Sequence, residues 1–282
     1  MYVRKEAVLS SQIEGTQSSL QDLLAAEAQL FDRNLPRDVD EVLNYVRAMR
    51  HGLARLADLP VSVRLIREIH AELLRGVRGS RLTPGELRQS QNWIGPGGCT
   101  LAEATFVPPP AHEVPAALGA LETFLHQHDN VPLLVKIGLA HAQFETIHPF
   151  LDGNGRLGCL MISFYLASKG LLTQPSLYLS NYFERNKTAY IDHLMAVRQG
   201  NHLPDWVVFF LHGVEAHALM LNLYARPVTS VGLASRVSGL TTNAASSLIA
   251  DLVSFGVLTE VTGQRRNRLF GFDDDLKLFG PT

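Results

Sequence analysis

The sequence predicts an all-α protein with a short β-hairpin flap, followed by a small α+β domain at its C-terminal end. Three observations predict it. Apolar residues recur at three- and four-residue spacing up to about residue 220. A Gly- and Pro-rich interval between Arg78 and Pro110 breaks that rhythm, and the pattern changes again near Arg226-Pro227. At 282 residues the chain can bury a full core and reads as one large domain plus a small one. The boundaries predicted are an N-terminal segment over 1–36, a main helical domain over 37–225 and a small domain over 226–282.

Taken in order, Ala7 to Phe31 carries apolar positions at Leu20, Leu23, Leu24, Leu30 and Phe31, which predicts a helix. The same spacing predicts helices over Val42 to Leu56 and Val63 to Leu74. Between Arg78 and Pro110, short apolar bursts at Asn92-Trp93-Ile94 and Thr105-Phe106-Val107 read as two strands of a flap, ended by prolines that cannot donate to a ladder. A plain surface loop is the alternative. Val114 to His126 is a further amphipathic helix. Leu133 to Ile147 and Leu157 to Leu166 are markedly apolar and flank one polar loop, which predicts a buried helical hairpin whose loop carries the chemistry. After Arg226-Pro227 come a short helix, a turn at Gly239, a longer helix capped at Thr241/Thr242 and two strands around Gly263. That order is a winged helix-turn-helix.

Composition excludes several classes. The chain is 46% hydrophobic and 18% charged, with a formal net charge of −2, so it lacks the basic balance of a surface coated by nucleic acid. Cys99 and Cys159 are too few and too far apart for a disulfide scaffold, which points to a reducing compartment. No apolar run resembles a signal peptide or approaches the ~18 residues of a membrane span, so the expectation is a soluble cytoplasmic protein.

The loop reads HPFLDGNGR, from His148 to Arg156. Gly153 and Gly155 flank Asn154, letting backbone N–H groups converge into an anion-binding nest that opens onto a helix N-terminus. Arg156 adds a planar donor fork suited to phosphate oxygens. A hard carboxylate at Asp152, beside phosphates, suits Mg2+. His148 is the one group of this loop able to take a proton near neutral pH. A tight turn with a capping Asp and an interior His is the alternative, but here base, carboxylate, nest and Arg fall within nine residues.

HPFLDGNGR resembles the signature of the Fic family, His-x-Phe-x-Asp/Glu-Gly-Asn-Gly-Arg-x-x-Arg. The likeness extends through KIGLAHAQFETIHPF before the loop and LYLSNYFERNKTAYIDHLMAVRQG after it, and QNWIG and FVPPP are similar to the family's flap segments. The resemblance implies a Fic-type helical bundle that transfers AMP from ATP to a protein hydroxyl. It implies that His148 deprotonates a Ser, Thr or Tyr, that Asp152 holds Mg2+ against the phosphates, and that Gly153, Asn154 and Gly155 cradle phosphate. It puts Arg156 on phosphate, Phe150 inward as the loop's anchor, Tyr190 near adenine, and Thr105, Phe106 and Val107 along the target segment. Tyr190 read by itself is equally an interfacial helix aromatic. Near the N-terminus SSQIEG is similar to the family's inhibitory motif, with Ser10, Glu14 and Gly15 matching it, which implies a helix that lays Glu14 into the nucleotide site.

The pattern breaks at Cys159, which stands where the signature has its last Arg. In the family that Arg serves the outer phosphates and pairs with the inhibitory Glu, so the change touches both activity and inhibition. Arg88, Lys187 and Arg198 are the candidate replacement cations. His126-Gln127-His128-Asp129 reads as a polar helix end, since no third ligand is spaced to complete a metal site. The arginines of TGQRRNR suit DNA phosphates, while Asp273 to Asp275 and a helix poor in base-reading groups suit a structural wing. The expected partners are therefore ATP and a protein with an exposed hydroxyl, this chain itself included, with DNA and a second copy of the chain as further options. The alternatives in activity are transfer of another nucleotide-type group, removal of AMP, or a nucleotide-binding DNA regulator without catalysis.

Overall fold

The computed structural model describes residues 2–13, 15–28, 38–77, 79–96, 98–172, 179–225, 228–238, 241–254, 258–264 and 266–272. The chain divides into two compact units, Met1–Leu211 and His212–Thr282.

The first unit is helical. The single helix expected from Ala7 to Phe31 is two, α1 (Tyr2–Ile13) and α2 (Leu20–Glu27). Gly15, at φ +97°, ends the first, and Ser19 caps the second in a reciprocal box with Asp22. Leu30 and Phe31 lie outside the described residues. Next come α3 (Val39–Arg55) and α4 (Val63–Leu73), the latter capped by Ser62 accepting from the Leu65 N–H. Between α4 and α5 (Val114–His126) the two strands expected of the flap reduce, among the described residues, to one bridge, Ile94 with Phe106, because Pro96 and Pro108 to Pro110 remove the donors a longer ladder needs.

The central hairpin is α6 (Leu133–Ile147) and α7 (Asn154–Ser168), which pack on each other. α7 is buried almost all round, consistent with its uniform apolarity. Close approach among α3, α4 and α7 depends on Gly52, where a Cβ would lie 2.3 Å from the Phe164 ring and 2.4 Å from Ile69. Then follow α8 (Leu179–Arg185), α9 (Lys187–Gly200) and the first part of α10 (Leu203–Ala225), whose residues from His212 on belong to the second unit. Trp206 is fully buried, donates from Nε1 to the Gly138 carbonyl at 2.8 Å and joins an aromatic cluster with His141, Phe183, Tyr190 and Phe210. Among the described residues no helix is long and apolar enough to cross a membrane.

The second unit holds β1 (Val228–Thr229), α11 (Val231–Ser238), α12 (Thr242–Ser254), β2 (Leu258–Glu260) and β3 (Phe270–Phe272). The strands form an antiparallel sheet in the order β1-β3-β2. Thr241 caps α12 by accepting from the Ala244 N–H. Ala234, Ala245, Ile249, Leu252, Leu258, Phe270 and Phe272 make its core. This order is compatible with a winged helix-turn-helix. Arg266 and Arg268 are exposed, while Gly239, Arg265 and Asp273 to Asp275 lie outside the described residues.

Candidate active site

His148 terminates α6 in the left-handed region, at φ +47°, with its N–H still bonded to the Phe144 carbonyl at 2.9 Å. A left-handed non-glycine residue is strained and needs surroundings that hold it. Those surroundings are donors on the loop's carbonyls. The buried Arg88 guanidinium donates from Nε to the His148 carbonyl at 2.9 Å and from Nη2 to those of Ile147 and Pro109. The Arg88 N–H donates to the Pro149 carbonyl at 2.9 Å. Asn154 Nδ2 and Asn92 Nδ2 each donate to the Phe150 carbonyl at 2.9 Å, and Asn154 Oδ1 accepts from the Phe150 N–H. His70 Nε2 lies 3.0 Å from the Asp152 carbonyl oxygen. The carbonyls of 148, 149, 150 and 152 are thus each occupied by protein donors.

The other side of the loop is the N-terminus of α7. Gly153 sits at φ +75° and no side chain caps the helix, so first-turn amides that every helix leaves without intrahelical partners face an uncapped end. With carbonyls tied down and amides presented, the local field favours an anion. The Asp152 carboxylate is partly exposed and uses Oδ1 to accept from the Gly153 N–H at 2.8 Å. Phe150 is fully buried and stacks on the His70 ring, with centroids 3.8 Å apart.

The His148 ring is partly exposed with Nδ1 turned inward. Burial and the nearby Arg198 and Arg88 charges push its pKa down to about 3, with the Glu145 carbonyl acting in the other direction. The ring is therefore neutral through the physiological range and has a lone pair to accept a proton.

The predicted residues are not all brought together in the same way. His148, Asp152, Gly153, Asn154 and Gly155 share the loop, although Asn154 spends its side chain on Phe150. Arg156, which the resemblance puts on phosphate, is fully buried and donates from Nη1 to Glu41 Oε2 on α3 at 3.0 Å, with Nη2 3.9 Å from Asp152 Oδ1. Tyr190 is buried in the aromatic cluster, its hydroxyl 3.0 Å from His141 Nε2. In the flap, Thr105 and Val107 are exposed, and Phe106 lies under the Arg198 guanidinium, 4.0 Å from its ring centre. Ser10 is buried on α1, Gly15 ends that helix, and Glu14 lies outside the described residues.

Cys159 is buried against α1, beside Glu6, Ser10 and Ser180, and burial pushes its thiol pKa up, so it stays neutral. Of the candidate replacement cations, Arg88 is committed to backbone carbonyls. Arg198 donates to the Glu145 carbonyl at 2.8 Å, and Lys187 reaches the Ile13 carbonyl at the end of α1, also at 2.8 Å. Sequence reasoning missed His70, Asn92 and Glu41. His70 sits on an apolar helix face with Leu65, Ile66, Ile69 and Leu73, where nothing in one sequence separates a loop brace from an ordinary core residue.

A histidine-bearing glycine loop joining two central helices of an all-α unit, crossed by a proline-edged flap, defines the class. The sequence matches the Fic/DOC family over residues 60–166 and the Fic/DOC family N-terminal region over residues 1–54, and the chain belongs to the Fic/DOC family. It is 29% identical over 203 residues to a protein of Aquifex aeolicus named "Probable protein adenylyltransferase", covering 70% of this chain and 55% of that one. It is 26% identical over 213 residues to "Protein adenylyltransferase Fic" of Drosophila yakuba, covering 74% of this chain and 38% of that one. The chain thus spans about half or less of the length of these relatives. The fold is shared with a Fic family protein from Desulfovibrio desulfuricans, with a TM-score of 0.66 and 20% identity over 96% of this chain and 86% of that one. It is also shared with a Fic domain containing signaling protein from Bacteroides thetaiotaomicron, with a TM-score of 0.65 and 17% identity over 86% of this chain and 88% of that one.

Proposed function

We propose that this chain is an autoinhibited protein adenylyltransferase of the cytoplasm, moving AMP from Mg-ATP to a Ser, Thr or Tyr hydroxyl of a target protein. The observation that carries the reading is the loop's polarity: four backbone carbonyls held by protein donors on one side, an uncapped helix N-terminus on the other, and a neutral imidazole beside both. The names of the Aquifex and Drosophila relatives point to the same chemistry.

In this reading His148 takes the proton from the target hydroxyl as its oxygen forms a bond to the α-phosphorus. The bond from that phosphorus to the bridging oxygen breaks, and pyrophosphate leaves. Gly153, Asn154 and Gly155 form the phosphate cradle, the amides of Asn154 and Gly155 facing phosphate while the Gly153 N–H orients Asp152, and Arg156 adds positive charge from beneath while fixing α7 to α3. The flap at Thr105, Phe106 and Val107 aligns the target segment by strand-like pairing. Such transfer is mostly positioning plus electrostatics. Asp152 suits Mg2+: among the described residues no cluster of three or more His, Cys, Asp or Glu could hold a metal, and Mg2+ commonly takes one or two carboxylates and completes its shell with phosphates and water. The ion would neutralise phosphate charge there. Ser10, Glu14 and Gly15 belong to the inhibitory segment, and α1 packs on α3, α7 and α8.

The test uses ATP labelled in its α-phosphate, with Mg2+, alone and with cell lysate. The expected result is protein-bound label that increases in Glu14→Gly and disappears in His148→Ala. A folded protein that binds ATP yet transfers no label in any of these forms contradicts the reading.

A second reading is favoured by Cys159, buried and neutral where the signature has a cation: a nucleotide-binding regulator without catalysis. Label transfer that appears only after Cys159→Arg supports it.

A further inference from the structure

His70 is fully buried on α4, its ring set between the loop and Gly85. The Gly85 N–H donates to Nδ1 at 2.8 Å. A backbone N–H can only donate, so Nδ1 accepts, and in the neutral ring the proton sits on Nε2. Nε2 faces the Asp152 carbonyl oxygen at 3.0 Å, and the ring face stacks on Phe150 at 3.8 Å and 14°. A Cβ on Gly153 would come within 3.7 Å of Nε2, so the imidazole also forms part of the floor under the glycine that opens α7.

The peptide between Asp152 and Gly153 is held on both sides, its carbonyl by His70 and its N–H by Asp152 Oδ1. A peptide next to a left-handed glycine can rotate about its two flanking bonds at small steric cost, which is how turns interconvert. Rotating it would swing a carbonyl toward a bound phosphate, adding repulsion, and would break the bond from the Gly153 N–H to Asp152 Oδ1. The donor that holds the carbonyl against that rotation from outside the loop is His70 Nε2. Through Gly85 the same ring is tied to the segment 85–88, whose Arg88 holds the His148 carbonyl at the loop's other end.

We propose that His70 is a positioning residue for the phosphate-binding loop, its imidazole fixing the Asp152–Gly153 peptide with the carbonyl inward and the amide outward. This rests on the reading of that loop as a nucleotide site and adds a residue outside the signature to it. His70 acts through the peptide it holds and does not itself touch the substrate.

The test compares wild type with His70→Gln, His70→Asn and His70→Phe. Gln keeps a donor near the position of Nε2, Asn reaches only toward Gly85, and Phe keeps the stacking volume with neither hydrogen bond. Melting temperature, hydrogen exchange of the 148–158 backbone and calorimetric affinity for Mg-ATP are measured for each. The Gln variant is expected to stay within about threefold of wild type in loop exchange and ATP affinity, while Asn and Phe lose about tenfold or more in both. The proposal is overturned if Asn or Phe, folded, keeps wild-type exchange and affinity, or if Gln fails alongside Phe in proportion to lost melting temperature. Should wild type itself bind no ATP, the nucleotide reading fails, and loop exchange still decides whether His70 braces the peptide.

Discussion

Glu6 and His141 bring opposite pH dependences into the first unit. Glu6 is buried between α1 and α8, where it accepts from the Ser180 hydroxyl, and burial raises its pKa from 4.5 to about 8. The folded state therefore holds that proton where the unfolded chain has released it. Its contribution is fully present below about pH 4.5 and is lost as pH rises through 8, with a slope of about 1.4 kcal/mol per unit at most. His141, buried with its pKa lowered from 6.5 to about 4, works the other way: its contribution is present above 6.5 and is lost as pH falls toward 4. The expected outcome is that Glu6→Gln, which keeps an acceptor for Ser180, loses less stability than wild type between pH 6 and about 8 in urea titrations. Parallel curves for the two proteins would show that Glu6 is ionised throughout.

Among elements, the contact between α3 and α7 is the most exacting. Arg156 is fully buried on Glu41, and taking away one member of a buried pair costs about 3–5 kcal/mol because a charge is left in the core. Arg156→Met should lose that much in urea unfolding, and Glu41→Leu/Arg156→Met should regain part of it. Equal loss in the double variant would mean that packing, not charge, sets the cost. One turn before the end of α3, Gly52→Ala gains helix propensity of about 1 kcal/mol but drives a methyl into Phe164 and Ile69, so a net loss of about 1–3 kcal/mol is expected. Legibility also divides at this scale. α5 and α6 could be read from end to end because their apolar spacing is continuous and prolines mark their starts. The break between α1 and α2 was missed because Leu20, Leu23 and Leu24 keep the helical rhythm, while the break is made by backbone conformation at Gly15 and a cap at Ser19.

For the whole molecule, the loop from His148 to Arg156 was legible because its chemistry is local in sequence: glycines, a carboxylate and a histidine in one short run. What holds that loop was not legible. Arg88, Asn92 and His70 come from up to 82 positions away and act on carbonyls, which carry no residue-type signal. The burial of Arg156 was equally hidden, since its partner Glu41 lies 115 positions earlier. Folding brings these distant donors onto the loop's carbonyls, and under the proposed function the amides opening α7 then face a polyphosphate. The most direct measurement is the change in amide proton and nitrogen chemical shifts of Gly153, Asn154 and Gly155 as Mg-ATP is titrated into the labelled protein. Saturable shifts concentrated at these three amides are predicted, larger than those across residues 228–272. ATP binding that leaves the three signals in place, or moves only signals elsewhere, would contradict the account.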